Sequence, residues 1–463
     1  MISLSLKEIA ERVHGSLPAG AGAVAIKGVS TDSRTLQPGD LFVPLRGDRY
    51  DGHDYLLQAV ERGAVACLSE DVVAALAVPV VRVDNCLRAL GDLAASLRAD
   101  FSGPVVAVTG SAGKTTTKDM LGAILGQDAP GLITQGNFNN LIGLPLTLFR
   151  LRAEHRWLVL EMGTSALGEI ARLCAIAQPT VGIITNVASA HLATLGNLDG
   201  VARAKGELFA ALTGGTAIIN ADDARVAAIP VANGAKKLYY GQAPAATVRA
   251  EEVLTTADGL VFTLDLDGER AQVRLPVPGR HNVGNALAAA AAASVLGVSL
   301  ERIVAGLAAF RPSPGRMESR TLSGGGLLLN DSYNANPLSM EAALIALDDL
   351  AVGGRRMAVI GDMLELGPDA AELHQLIGQK AAGHLDYLVA MGAHAADVIA
   401  GATEAGMAPE QLRLVVDHAS AAAALVQWYR AGDRILLKGS RGMRLEKVAV
   451  DLLAALGPDG KGA

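Results

Sequence analysis

Short apolar runs alternate with longer amphipathic stretches through most of the chain. VVAVTG (105–110) leads into a helical stretch from about Lys114, WLVLEMG (157–163) into one from about Leu167, and VGIITNV (181–187) into one from about Asp199. Strand and helix in alternation read as βαβ units and a mostly parallel sheet. Between about 246 and 277 the period shortens to two around Asp258-Gly259 and Asp267-Gly268, which predicts antiparallel hairpins at the edge of that sheet. A helix ending near Phe310 is followed by Pro312, Pro314 and Gly315, a linker signal. Beyond it, RRMAVIGDM, LDYLVAMG and DRILLKGSR supply three more strands separated by helical stretches, a second and smaller Rossmann-like unit. The first 85 residues carry short strands and the turn Pro38-Gly39-Asp40. The expectation is an α/β chain of three domains: a small N-terminal module over 1–85, a central domain over 86–312 and a C-terminal Rossmann-like domain over 313–463. A length of 463 residues agrees, at about 150 residues per domain.

Composition narrows the function classes. Half the residues are hydrophobic and only 3% aromatic, which suits helices packed closely on sheets. A formal charge of −7 with no basic tract argues against nucleic-acid binding, which needs a face of cations to replace phosphate counterions. Cys67, Cys86 and Cys174 form no CxxC pair, so buried thiols are expected in place of disulfides or a zinc site. Lys7, Glu8, Glu11 and Arg12 interrupt any signal-peptide core, and the Ala286–Val298 run is too short to span a bilayer. A cytoplasmic monomer without stable membrane insertion is expected.

The segment VVAVTGSAGKTTTK runs from strand to glycine turn to helix. In that context backbone N–H groups and the positive helix end can cradle phosphate. Gly110, Ser111, Ala112, Gly113, Lys114, Thr115 and Thr116 are the candidate ATP-binding residues, with Lys114 reaching the terminal phosphates and Thr115 ligating magnesium. The usual phosphate-loop pattern would put a glycine where Val108 stands, so this loop is a shortened form. Glu161 ends its strand alone, without the Asp-Glu pair of motor ATPases, which favours transfer to a substrate over hydrolysis.

Further segments are individually ordinary. GNFNN (136–140) could be a capping turn, His191 in NVASAHL a structural histidine, and Asn282 and Asn285 in GRHNVGNALAA a helix start. Their order is the stronger signal. Together with TDSR (31–34), DGHDY (51–55), DSYNANP (331–337), GDMLELG (361–367) and KGSRGMRLE (438–446), they resemble the Mur ligase family, over nearly the whole chain. The pattern is most similar to the branch that adds D-alanyl-D-alanine to UDP-N-acetylmuramoyl-tripeptide. The branch that adds the third residue usually carries Asp-Asn-Pro-Arg to hold an amino-acid carboxylate, whereas here Asn336-Pro337 is followed by Leu338. Folylpolyglutamate synthases begin near their phosphate loop, unlike this chain. Another Mur-type ligase and an ATP-switched scaffold are the rival readings.

The resemblance implies an acyl-phosphate mechanism with ATP and Mg2+. Thr115 and Glu161 would hold one magnesium; His191 and a carbamylated Lys205 would serve a second. Lys114, His191, Lys205 and Arg316 would be catalytic, Arg316 reaching the γ-phosphate from the last domain. Asn282 and Asn285 would border the adenine, and Asp331 would contact the nucleotide. Ser33, Arg34, Asp51 and His53 would hold the uridine diphosphate. Asn137, Asn139 and Asn140 would also face substrate. Tyr333, Asn334, Asn336 and Ser339 would shape the dipeptide pocket, and Pro312–Gly315 would be the hinge of closure.

Overall fold

The computed structural model describes residues 4–457 except 48, 74–75, 190–191, 257 and 351–352, with backbone alone at 192–193. Nine strands form the central sheet, in the spatial order Glu269–Leu275, Gly259–Leu266, Val248–Thr256, Lys236–Gly241, Thr216–Asn220, Val181–Ile184, Val105–Thr109, Leu158–Glu161 and Leu132–Ile133. The ladders from Leu132 through Val248 are parallel, and the last three strands pair antiparallel at one edge, as the change of period predicts. Val106 and Val108 face one side with Met120, Leu121 and Ile124, while Val105 and Ala107 face the other with Leu90, Leu173 and Leu208. The fully apolar strand Val105–Thr109 is thus covered on both faces, which explains why its sequence does not alternate.

The alanine-rich run becomes the helix His281–Val295, and Ala286 through Ala293 are all buried. Small side chains let it lie close to the phosphate-loop helix Lys114–Leu125, which it packs against. The C-terminal sheet has the order Glu318–Thr321, Leu327–Asp331, Arg434–Lys438, Arg356–Gly361, Tyr387–Met391 and Leu412–Val415, parallel except for its first pair. In the N-terminal module Gly28–Ser30, Asp40–Phe42, Ala66–Ser69 and Val80–Arg82 form a parallel sheet.

The apolar packing crosses both expected boundaries. Helix Cys86–Ala99 shares one cluster with Leu6, Ile9 and Val81 on one side and Leu144, Ile170 and Leu173 on the other. Phe310, Met317, Leu329 and Met340 continue the cluster that starts under the central sheet into the C-terminal unit. The linker is also tied down: Ser313 Oγ donates to Asp119 Oδ2 (2.7 Å), and Asp119 Oδ1 accepts from the buried Lys118 at 2.5 Å. A residue of the expected hinge therefore bonds directly to the phosphate-loop helix.

Because Ala290 is fully buried in a helix of small side chains, Ala290→Leu is expected to destabilise the chain by about 1–3 kcal/mol, read as a lowered urea midpoint. An unchanged midpoint would show slack between the two helices.

Candidate active site

Strand Val105–Thr109 ends one residue before the loop, with Val108 inside the ladder opposite Ile183 and Glu161, so the turn begins only at Gly110. Gly110 (φ +149°) and Gly113 (φ +80°) give the loop its shape. A Cβ on Gly113 would meet Asn285 Oδ1 at 2.2 Å, and one on Gly110 would meet Thr185 Oγ1 at 1.8 Å, so both glycines are required by close approach as well as backbone. The loop is held from outside: Asn186 Oδ1 accepts from Ala112 N–H (2.8 Å), Thr185 Oγ1 donates to Ala112 O (2.6 Å), and Ser111 Oγ donates to Ala188 O (2.9 Å). No side chain caps the helix start at Gly113, which leaves the first amides of Lys114–Leu125 aimed outward for an anion. Lys114 Nζ rests on Gly110 O at 2.7 Å.

Thr115 Oγ1 donates to Glu161 Oε2 at 2.7 Å, joining the first turn of the helix to the end of the neighbouring strand. Asn139 Nδ2 donates to the other carboxylate oxygen at 2.8 Å, and both Thr115 and Glu161 are buried. A hydroxyl and a carboxylate converging beside a phosphate cradle are the oxygen donors that a magnesium ion needs from protein when phosphate and water complete its shell. Among the described residues no group of three or more His, Cys, Asp or Glu converges, and such a shell does not call for one. Asn140 is committed differently, its Oδ1 accepting from Ile142 and Gly143 N–H to start the helix Gly143–Leu148. Asn137 is exposed.

Lys205 is buried at 3% exposure in the helix Leu198–Ala210, and among the described residues no hydrogen bond or ion pair reaches its amine. Desolvation, with the Lys114 charge adding to it, pushes its pKa well below the ordinary lysine range. Desolvation also lowers Lys114; the Glu161 carboxylate opposes this and the Arg316 guanidinium reinforces it. These electrostatic couplings tie Lys205, Lys114, Glu161 and Arg316 into one neighbourhood. His191 lies outside the described residues.

The C-terminal unit contributes Arg316, which lies over the Tyr333 ring at 4.1 Å and whose buried Nε has no partner among the described residues. Asp331 is gripped by the buried Lys438, whose Nζ donates to Oδ2 at 2.6 Å and to Asn334 O at 3.0 Å. Asn336 and Ser339 bond each other reciprocally (2.9 and 3.0 Å) in a cap at the start of the helix Pro337–Leu350. The remaining amide of Asn336 reaches Ser111 O at 3.4 Å, so the C-terminal unit touches the phosphate loop itself. Asn282 and Asn285 are bonded to each other at 2.9 Å, and Asn285 Oδ1 also accepts from Thr117 at 3.3 Å. Their polar groups are thereby engaged within the protein, one of them on the phosphate-loop helix.

In the N-terminal module Ser33 Oγ donates to Gln58 Oε1 (2.6 Å), and Arg34 forms a fork with Asp32 at 2.9 and 2.8 Å. Asp51 accepts from the backbone and ring of His53 and from Arg46, which lowers its pKa to about 2. Arg46 also reaches Glu70 and Asp71. Of these four expected ligands only Arg34 is left largely in solvent.

With this geometry in place, comparison with known proteins is decisive. Three family models match in succession: Mur ligase family, catalytic domain, over 25–98; Mur ligase middle domain over 108–293; and Mur ligase, glutamate ligase domain, over 315–441. The chain belongs to the Mur ligase family. It is 41% identical to the UDP-N-acetylmuramoyl-tripeptide–D-alanyl-D-alanine ligase of Escherichia coli, over 87% of this chain and 90% of that one. Its structure resembles MurF from Acinetobacter baumannii with a TM-score of 0.90 at 35% identity, covering 98% and 99% of the two chains. MurF from Thermotoga maritima, solved in complex with ADP, matches with a TM-score of 0.83 at 28% identity, over 93% and 97%. Like other members of this family, the protein is an ATP-dependent amide ligase with mixed α/β domains. No helix among the described residues is long and apolar enough to cross a membrane.

Sequence reading passed over Thr185, Asn186 and Lys438. Asn186 stands in the quoted NVASAHL and Lys438 in KGSRGMRLE, but nothing in a single sequence says that a polar residue at a strand end will turn back to brace a neighbouring loop. Gly113→Ala is expected to abolish measurable nucleotide binding by calorimetry, since the methyl group would displace the Asn285 oxygen that accepts from Thr117 on the phosphate-loop helix. Retained affinity would mean that the loop can be rebuilt without its left-handed residue. Lys205→Met, of similar length but without charge, is expected to keep or raise the thermal midpoint because it removes an amine whose charged form is disfavoured by burial. A large fall would assign Lys205 a structural role.

Proposed function

We infer that this protein joins D-alanyl-D-alanine to the terminal carboxylate of UDP-N-acetylmuramoyl-tripeptide, releasing ADP and phosphate and giving the pentapeptide precursor of peptidoglycan. The observation that carries the reading is the Thr115–Glu161 pair beside Lys114 at one uncapped helix start, near enough to Arg316 for its charge to act on Lys114, in a chain similar to curated ligases of that activity along most of its length.

A carboxylate resists attack by an amine because its oxygen is a poor leaving group, so ATP must first convert it to an acyl phosphate. The carboxylate oxygen attacks the γ-phosphorus and ADP leaves. The dipeptide amine then adds to the acyl carbon, loses a proton, and expels phosphate. Both steps collect negative charge at the same place. Backbone amides of the loop and Lys114 hold the phosphates, and Arg316, with its unpartnered Nε, meets the charge that develops in transfer. Magnesium bound by Thr115 and Glu161 would supply charge neutralisation and alignment of the phosphates. A second ion would fall to His191 and Lys205. Burial and the Lys114 charge shift Lys205 toward its neutral amine, the form that adds to carbon dioxide, and carbamylation would turn that amine into an anionic ligand with release of a proton.

The division of labour follows the chain: 1–85 for the nucleotide sugar through Ser33, Arg34, Asp51 and His53, 86–312 for ATP, and 313–463 for the dipeptide and Arg316. Asp331, Asn282 and Asn285 would frame the nucleotide, with the asparagines of 137–140 on the tripeptide side. Closure about Pro312–Gly315 would bring Tyr333, Asn334, Asn336 and Ser339 over the dipeptide. ATP and nucleotide-sugar substrates fit a cytoplasmic enzyme, and we take the working unit to be a monomer.

ADP release should require UDP-N-acetylmuramoyl-tripeptide, D-alanyl-D-alanine and magnesium together. Persistence without dipeptide would mark an ATPase or switch, and turnover with a diamino acid instead would mark the sister ligase. Arg316→Ala is expected to lower kcat by on the order of a hundredfold or more, about 3–4 kcal/mol; a rise in KM with kcat unchanged would make it a binding residue. Lys205→Ala should be inactive and partly restored by small carboxylic acids, whereas parental activity would remove the carbamate from the mechanism.

A further inference from the structure

We propose that Arg441 is the receptor for the free carboxylate of the dipeptide substrate and so decides which of the two carboxylates at this site is left unactivated. The inference rests on the dipeptide reading above. A ligase of this kind binds two carboxylates close to ATP and must phosphorylate only one. The other has to be held as an anion away from the γ-phosphate, and the geometry best suited to that is an arginine fork.

Arg441 stands in the right place. Its guanidinium carbon lies 5.6 Å from the centroid of Tyr333, the same ring that Arg316 covers at 4.1 Å. Arg316 in turn couples electrostatically to Lys114 of the phosphate loop. The Tyr333 ring is therefore a common neighbour of a guanidinium associated with phosphate transfer and of a second that is not. The backbone under Arg441 is rigidly set. Ser440, buried at 3% exposure, donates its N–H to Asp362 O (2.9 Å) and accepts from Leu364 N–H (2.9 Å), and Lys438 ties the adjacent strand to Asp331 and Asn334. The side chain itself is only loosely engaged: it is 67% exposed, and its ion pair with Glu446 is long at 3.8 Å. A fixed base with a weakly partnered head is what an anion receptor requires, because little has to be broken when the ligand arrives.

The test compares D-alanyl-D-alanine with D-alanyl-D-alaninamide, which keeps the amine and shape but lacks the charge, in the parent and in Arg441→Gln and Arg441→Lys. The parent is expected to prefer the acid by on the order of tenfold or more in kcat/KM. Arg441→Gln should abolish that preference through a raised KM for the acid, with KM for ATP and the thermal midpoint unchanged. Arg441→Lys, with the charge but not the fork, should fall between. Preserved acid preference in Arg441→Gln overturns the proposal, as does a loss that falls on KM for ATP, which would place Arg441 on the nucleotide. A parent that turns over neither dipeptide refutes the underlying function, whereas a parent that uses both equally refutes only the role of Arg441.

Discussion

A loop of backbone amides has to stay open to receive a phosphate chain, and nearly everything else at this site depends on how that is achieved. Four residues separate strand from helix, too few to carry their own support, so the support is external. Thr185 and Asn186 at the end of the neighbouring strand brace Ala112, Asn285 on the alanine-rich helix abuts Gly113, and Asn336 from the C-terminal unit reaches Ser111. The central sheet sets the spacing of the first pair and the close helix packing permitted by Ala286–Ala293 sets the second. The loop is thereby a shared product of several elements, and its position reports on all of them.

The same dependence couples the site to the C-terminal unit. Ser313 bonds to Asp119 on the phosphate-loop helix, and the apolar cluster from Ile124 to Met340 is continuous across the linker. Arg316 begins three residues beyond Ser313, so the guanidinium expected at the γ-phosphate is placed by the segment that joins the units.

The parallel sheet, the edge hairpins and the second Rossmann-like unit were legible because each has a period or a glycine boundary of its own. The shortened loop was legible from Val108, which the structure buries in the ladder. Roles carried by polar side chains were less so. Asn139 and Asn140 are neighbours in one motif, yet one steadies Glu161 and the other starts a helix. Asn336 and Ser339 bond each other, and Asp51 and His53 are held in a network around Arg46 that no spacing rule discloses. Charged neighbours brought together by tertiary structure, such as Lys438 with Asp331, are equally silent in one dimension.

The central claim is that the γ-phosphate passes to a peptide carboxylate and not to water. It can be tested directly by supplying UDP-N-acetylmuramoyl-tripeptide labelled with 18O in its terminal carboxylate and analysing the phosphate released. Transfer through an acyl phosphate predicts one carboxylate-derived 18O in each phosphate; phosphate free of that label, with an oxygen taken up from solvent, would contradict the account.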